Sequence, residues 1–331
     1  MRKIALSLAI LGASLLAVLS TAPAHAGPGT EPRVWVAFNG VANSGTCSTP
    51  ATACTTFAYA ISQAASGGEV NCVTSGEFGA VTINWPITID CHGLYAGIEP
   101  GSGVSGITVD ITTPSSGAGD VTIRGLNIDG QGSSGDGITI TAATTVNIED
   151  VTVSNFAENG INDHRTSNSV PTTYTFVKNS VMRNNEQSGI VAESVTTNYV
   201  TLENVLSTGN GYGVYVASRD VGISRSVLSG NATAGVTAVG GNVLVDYTVI
   251  TGNGTGIQAY GSAGSNGPGG AIGPFTVIIA NSDIYFNTTG IDNASGATGV
   301  VSYGTNKIYG NGSPGYAPDI GGAITYDHGQ Q

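Results

Sequence analysis

Val249-Ile250-Thr251-Gly252-Asn253-Gly254-Thr255-Gly256-Ile257 is the stretch that decides the fold. A short apolar run leads into a turn that carries Asn253, and a Gly-Ile pair follows the turn. Gly followed by Ile or Val recurs at positions 137, 160, 189, 213, 235, 256 and 290, in steps of 21 to 34 residues. Each repeat is long enough for two or three short strands and shows no helical periodicity. One such unit cannot bury its apolar face alone, so the repeats predict a stacked solenoid of parallel strands.

The composition supports an all-β solenoid and excludes several other classes. Of the 331 residues, 50 are Gly, 40% are hydrophobic and only 10% are charged. The apolar content excludes a disordered acidic tail, and the irregular glycine spacing excludes collagen. A net charge of −12 argues against a nucleic-acid partner and against an anionic membrane surface.

The N-terminus has the pattern of an export signal. Arg2 and Lys3 precede the apolar run 4–19, and Ala24-His25-Ala26 matches a cleavage site. We therefore expect residues 1–26 to be a signal peptide, a mature chain from Gly27, and a secreted or periplasmic location. No later apolar stretch approaches the roughly 20 residues that span a bilayer, so we expect no membrane insertion.

Four cysteines, Cys47, Cys54, Cys72 and Cys91, lie near the start of the mature chain. In an oxidising compartment they predict two disulfides, for which three pairings exist. The spacing favours Cys47–Cys54 as a short clip and Cys72–Cys91 as a link between successive coils. Zinc is the alternative, but the sequence has no C-x-x-C spacing to favour it.

From about Gly68 to Gly312, the apolar runs, Asn-bearing turns and Gly-Ile or Gly-Val pairs resemble the right-handed parallel β-helix of the pectin-lyase-like superfamily. The resemblance implies the right hand of the solenoid. We expect four segments: the signal peptide, an N-terminal cap over 27–67, the β-helix over 68–312, and a C-terminal cap or tail over 313–331. The cap is predicted to contain a strand over 33–38 and a helix over 56–65, because Phe57, Ala60, Ile61 and Ala64 have helical spacing.

The densest polar cluster is Asn162-Asp163-His164-Arg165, directly after Gly160-Ile161. When the Gly-Ile pairs are aligned, His164 lies beside Glu193 of the next coil. A histidine beside a carboxylate fits a general base, and Arg165 would stabilise an anion. The alternative is a solvated loop in which His164 only caps a turn.

The same alignment places Asn162, Tyr215, Gln258 and Tyr260 on one outward strip. Exposed aromatic rings stack on sugars, so this strip predicts a binding face for polysaccharide. The alternative is the ordinary covering of a sheet, since exposed apolar residues are common.

No activity follows directly from these residues. Glycoside hydrolysis needs two suitably spaced carboxylates. The polygalacturonase-like branch of the superfamily carries Asn-x-Asp, Asp-Asp, Gly-His-Gly and Arg-x-Lys motifs, and the last three of these do not occur here. Residues 129–136 fit an ordinary turn better than a Ca²⁺-binding loop. We therefore expect no metal and no cofactor. The sequence favours a polysaccharide-binding protein over an enzyme. The alternatives are a lyase or glycoside hydrolase acting on an acidic glycan, and a structural or adhesive surface solenoid.

Overall fold

The computed structural model describes residues 28–112, 119–165, 172–194, 197–217, 220–260, 276–293, 299–312, 320–321 and 326–328. The predicted signal peptide and most of the predicted C-terminal cap or tail lie outside the described residues.

The chain winds through three parallel sheets in a repeating order, and each coil adds one strand to each sheet. Sheet 1 contains, within the described ranges, Glu31–Val36, Ala64–Cys72, Ile87–Asp90, Asp120–Arg124, Thr145–Glu149, Thr172–Lys178, Thr197–Glu203, Asp220–Ser224, Asn242–Asp246, Thr276–Ala280, Gly299–Tyr303 and Tyr326–His328. Sheet 2 contains Gly76–Glu77, Ala96–Ile98, Leu126–Asp129, Thr152–Ser154, Val181–Arg183, Leu206–Thr208, Val227–Ser229, Val249–Thr251, Asp283–Tyr285 and Lys307–Tyr309. Sheet 3 contains Val81–Ile83, Ile107–Asp110, Ile138–Ala142, Ile161–Asp163, Ser188–Ala192, Tyr212–Val216, Ala234–Ala238, Thr255–Ala259, Thr289–Asp292 and Ile320–Gly321.

The core is a continuous stack of aliphatic side chains inside the coils. Side chains along a strand alternate between the two faces of a sheet, and the inward positions hold Ile and Val. In sheet 3, for example, Ile138, Ile161 and Ile190 occupy one register position on successive coils and are buried. The stacked-solenoid prediction is therefore confirmed, with neighbouring strands about 4.8 Å apart.

The glycine of the Gly-Ile pair is needed for close packing between coils. A Cβ atom on Gly256 would lie 2.5 Å from the backbone oxygen of Gly290 on the next coil. A Cβ atom on Gly213 would lie equally close to the backbone oxygen of Gly235. These glycines do not have positive φ, which falls instead on turn residues such as Gly252. The repeat therefore keeps glycine there for lack of space, and not for backbone freedom.

A ladder of buried asparagines stabilises the turn between sheets 2 and 3. Each Oδ1 accepts hydrogen bonds from the backbone N–H and the Nδ2 of the preceding member, at 2.9–3.2 Å. The members are Asn185, Asn210, Asn231, Asn253, Asn287 and Asn311. On the coil before Asn185, Phe156 holds the corresponding position and donates its N–H to Asn185. The neighbouring Asn155 directly follows strand Thr152–Ser154 and has a φ of 61°.

The N-terminal end of the solenoid carries the only helices of the described chain, the 3₁₀ turn Pro50–Thr52 and the α-helix Phe57–Gln63. Thr56 caps the α-helix by accepting a hydrogen bond from Tyr59 N, and the buried Phe57 ring lies 5.0 Å from the Phe78 ring. The helix is shorter than expected because the chain turns at Ala64 into a strand of sheet 1. The strand expected over 33–38 begins and ends two residues earlier.

Both disulfides lie at this end. Cys47 is joined to Cys54 and Cys72 to Cys91, with Cα–Cα distances of 5.4 and 4.8 Å. This is the pairing that the cysteine spacing favoured. Disulfides persist in oxidising compartments, so they indicate an extracytoplasmic location.

Candidate functional site

The outer face of sheet 3 brings the predicted strip together. Asn162 pairs in register with Val191, Val191 with Tyr215, Tyr215 with Thr237, and Thr237 with Gln258. A second outward column lies two residues further along each coil and includes His164, Glu193, Val239 and Tyr260. Ladder hydrogen bonds from these residues to the preceding coil hold the second column in register.

A groove of about 750 Å³ follows these two columns across the coils. Three tyrosines (Tyr212, Tyr215, Tyr260) and three glutamates (Glu158, Glu186, Glu193) line it. The remaining lining residues are Asn159, Asn162, Gln187, Ser188, Val191, Gly211, Thr233, Thr237 and Val239. The groove runs over five coils of sheet 3, which corresponds to about 19 Å at the usual strand spacing. It is therefore elongated rather than a compact pocket.

His164 and Glu193 form a hydrogen-bonded pair beside this groove. Nδ1 of His164 lies 2.8 Å from Oε1 of Glu193. The histidine side chain is 47% exposed, whereas that of Glu193 is 16% exposed and lines the groove. A carboxylate on Nδ1 orients the ring and leaves Nε2 as the nitrogen for a proton transfer. The neighbour relation expected from the repeat alignment is thus present in the structure.

Arg165 does not join this pair, contrary to expectation. Its side chain points into the coil and is 1% exposed, as is required by the alternation that turns His164 outward. Nη2 donates to Thr175 Oγ1 at 2.8 Å, and Nη1 donates to Asn198 Oδ1 at 3.1 Å. Asp163 is also buried, with Oδ1 at 3.4 Å from Nε of Arg165. Arg165 is therefore unavailable to stabilise an anion in the groove.

The buried network around Arg165 holds the backbone on both sides of His164. Thr175 donates its hydroxyl to Asp163, and Asn198 Nδ2 donates to the same carboxylate at 3.0 Å. Burial lowers the pKa of Arg165, and the charge of Asp163 opposes this effect. The strand end is thus anchored inside the solenoid while the His164 side chain faces outward.

The tyrosines form one wall of the groove. The rings of Tyr212 and Tyr215 meet edge to face with centroids 5.7 Å apart. Burial raises the pKa of Tyr215 to about 12, and the nearby charge of Glu193 adds to the shift. Burial also raises the pKa of Tyr260, which is hydrogen-bonded to Gln258. Gln258 in turn accepts from Thr237 at 3.3 Å, so it supports Tyr260 without lining the groove.

Asn162 connects the groove to the half-buried Asp136, which precedes the neighbouring strand of sheet 3. Its Nδ2 donates to Asp136 Oδ2 at 3.0 Å, while Asp136 Oδ1 accepts from both the backbone and side-chain nitrogens of Asn159. Asp129 accepts from Gln131 N and Asn155 Nδ2 in a plain turn. Within the described ranges, no group of three or more His, Cys, Asp or Glu residues is arranged to hold a metal ion.

Sequence reasoning missed Tyr212 and Gln187 in the groove. Both closely precede a Gly-Ile or Gly-Val pair: Gln187 lies in the turn, and Tyr212 is the first residue of its strand. Tyr212 is in register with Ser188, which directly follows Gln187, and this alignment ahead of the glycine pairs was the signal available.

The comparisons with known proteins agree with this architecture. The family described as a right handed beta helix region matches residues 105–266. The A-modules of two mannuronan C-5 epimerases of Azotobacter vinelandii, AlgE4 and AlgE6, superpose with TM-scores of 0.55 at 19% and 20% identity. Both cover 77% of this chain, and 72% and 71% of their own. Pectate lyase Pel9A superposes with a TM-score of 0.51 at 15% identity, over 92% of this chain and 80% of its own.

Residues 105–266 thus match a right-handed β-helix family, and the three parallel sheets of the described residues have the architecture of such a β-helix. The low identities show a shared fold and do not transfer an activity. No curated protein matches the chain in sequence. None of the helices in the described ranges combines the length and the apolar character that crossing a bilayer requires.

Proposed function

We propose that the groove on sheet 3 binds a carbohydrate chain. The observation that carries this proposal is an elongated groove lined by Tyr212, Tyr215 and Tyr260 together with amide and carboxylate side chains. Aromatic faces pack on the apolar faces of sugars, and polar side chains bond to hydroxyl groups. A groove about 19 Å long fits several linked sugars better than one. The structural neighbours, by their names, act on mannuronan and pectate, which supports a polysaccharide ligand.

Glycan-array binding followed by calorimetry tests this proposal. We expect Tyr215→Ala and Tyr260→Ala to weaken binding of any glycan that the protein retains by at least about fivefold, taking the roughly 1–3 kcal/mol that stacking on an aromatic side chain contributes for nucleobases as a guide. Tyr199→Ala is the matched control, because Tyr199 is 40% exposed on sheet 1 and Tyr260 is 39% exposed. Equal losses in all three variants would refute the groove as the site. No binding across the array would favour a structural or adhesive solenoid.

A second candidate function is proton-transfer chemistry on the bound glycan. His164 oriented by Glu193 favours it, since Nε2 could serve as general base in a lyase. A polyuronate lyase also needs a positive partner for the substrate carboxylate, and no Lys or Arg lines the groove in the described chain. Carbohydrate binding is therefore the function that the site supports better.

The lyase candidate is tested by the absorbance of unsaturated uronate during incubation with pectate, alginate or a glycosaminoglycan. If cleavage occurs, we expect His164→Ala to abolish it. His92→Ala is the matched control, because His92 also pairs with a carboxylate, Asp150, at 3.1 Å. Cleavage that survives in His164→Ala would exclude His164 as the base.

We also propose that the protein is exported and that residues 1–26 are removed. The mature chain would then consist of a cap over 27–67, coils over 68–312 and a terminal cap or tail over 313–331. The disulfides support export, because they need an oxidising compartment. Mass spectrometry of the protein recovered from outside the cytoplasm should show a chain that starts at Gly27. An uncleaved chain would refute this processing.

A further inference from the structure

The charged residues of the solenoid are arranged differently on sheet 1 and in the groove. On sheet 1 three glutamates are paired with cations: Glu69 with Arg33 at 2.7 Å, Glu149 with Arg124 at 3.0 Å, and Glu203 with both Lys178 and Arg225. Each of these three carboxylates therefore has a counter-charge.

The groove glutamates have no such partners. Within the described residues, Glu158, Glu186 and Glu193 form no ion pair with Lys or Arg, and neither residue type lines the groove. Glu158 accepts a hydrogen bond from the neutral Gln187, and Glu193 contacts His164. Arg165, which directly follows His164, is turned inward and bound to Asp163.

Among the residues that the structure describes, no Lys or Arg therefore compensates the negative potential of the groove. A glycan that carries carboxylates or sulfates would meet three like charges without a counter-charge, which opposes binding. A glycan that carries ammonium groups would supply the missing counter-charge. The tyrosine rings add to this preference, because the faces of aromatic rings attract cations.

We propose that the groove selects an amino-sugar glycan with free ammonium groups. This inference rests on the proposed carbohydrate binding and names its ligand class. The tyrosines would hold the sugar rings, while Glu158 and Glu186 on the groove edge would pair with the ammonium groups. Both glutamates lie in turns that precede strands of sheet 3, on successive coils, where Gln187 donates to the backbone oxygen of Glu158 and Glu186 directly precedes Gln187.

Calorimetry with three oligosaccharides of equal length tests this inference at mildly acidic pH, where amines are protonated and most carboxylates remain ionised. The probes are a glucosamine oligomer, its N-acetylated counterpart and an oligogalacturonate. We expect the glucosamine oligomer to bind at least about tenfold more tightly than the N-acetylated one, with affinity falling as salt is added. We expect no binding of the oligogalacturonate.

Variants identify the groups responsible. Glu158→Gln/Glu186→Gln should weaken glucosamine binding by at least about tenfold and remove most of its salt dependence. Glu149→Gln is the matched control, because Glu149 is already paired with Arg124 on sheet 1. A lysine oligomer of the same charge should bind more weakly and should lose less affinity in Tyr215→Ala than the glucosamine oligomer, because it has no sugar ring to pack on the tyrosine.

The outcomes separate this inference from the proposed function. Equal binding of the acetylated oligomer, or tighter binding of the oligogalacturonate, would overturn the charge selection and leave carbohydrate binding intact. Equal binding of the lysine oligomer would show only a general attraction of cations. Absence of binding to every glycan tested, here and on the array, would refute both proposals.

Discussion

Replacing Arg165 by Met tests the buried network behind His164. Arg165 and Asp163 are 1% and 2% exposed, and the arginine donates to Asn198, Thr175 and the backbone oxygen of Tyr174. Met fills a similar volume but leaves the Asp163 carboxylate buried without its counter-charge. Removing one partner of a buried ion pair costs about 3–5 kcal/mol.

This magnitude translates into a measurable shift of the melting temperature. Unfolding entropy is about 2.1 cal/mol/K per residue, so a cooperative unit of about 300 residues loses roughly 6 °C for 4 kcal/mol. Circular dichroism measures the melting temperature. Because a solenoid can also open coil by coil, hydrogen exchange in Thr172–Lys178 and Thr197–Glu203 provides a local measurement. Both strands contribute partners to Arg165 and should exchange faster in the variant.

Two further variants make the test specific. In Asp163→Asn/Arg165→Met both charges are gone, so most of the lost stability should return. Arg33→Met breaks the ion pair with Glu69 at the surface, where the arginine is 57% exposed, and should leave the melting temperature nearly unchanged. The reasoning fails if Arg165→Met melts within about 1 °C of the wild type, or if the double variant is as unstable as the single one.

Three other predictions concern the ladder, the coil spacing and the groove. Asn253→Ala removes an acceptor for the buried Asn231 N–H and two donor bonds, so it should cost about 3 kcal/mol and lower the melting temperature by roughly 5 °C. The same change at the exposed Asn242 should have little effect, and equal losses would argue against the ladder. Gly189→Ala would place a Cβ 2.7 Å from the oxygen of Gly213 and 2.1 Å from Ser207 Oγ, so we expect a low yield of folded protein, and normal yield and melting would contradict this packing. Because burial raises the pKa of Tyr215 to about 12, the folded state keeps this proton where the unfolded chain, with an ordinary value of 10.0, loses it. Its stabilising effect is complete below about pH 10 and disappears as pH rises towards 12; spectrophotometric titration of Tyr215→Phe should lack this late-titrating group, and an unchanged titration curve would refute the assignment.

The repeat was sufficient to predict the architecture and part of the site. Gly-Ile and Gly-Val pairs fix the register from coil to coil, so aligning them placed His164 beside Glu193 and Tyr215 on the strip with Asn162. The alignment predicts these neighbours because each strand of a solenoid pairs in parallel with the equivalent strand of the next coil. It also predicts which side chains face outward, because side chains along a strand alternate between the two faces. The asparagine column follows from the same register, apart from Phe156.

The sequence therefore determined which residues stack on one another, since each coil repeats a local pattern that the next coil continues. Only the tertiary structure decided what the polar residues do. Arg165 is buried because Thr175 and Asn198, from two strands of sheet 1, together with Asp163 satisfy its donors and charge. A charged side chain is buried only where hydrogen-bond and charge partners surround it. Here those partners come from strands that are distant in sequence, and only the folded coils bring them next to Arg165.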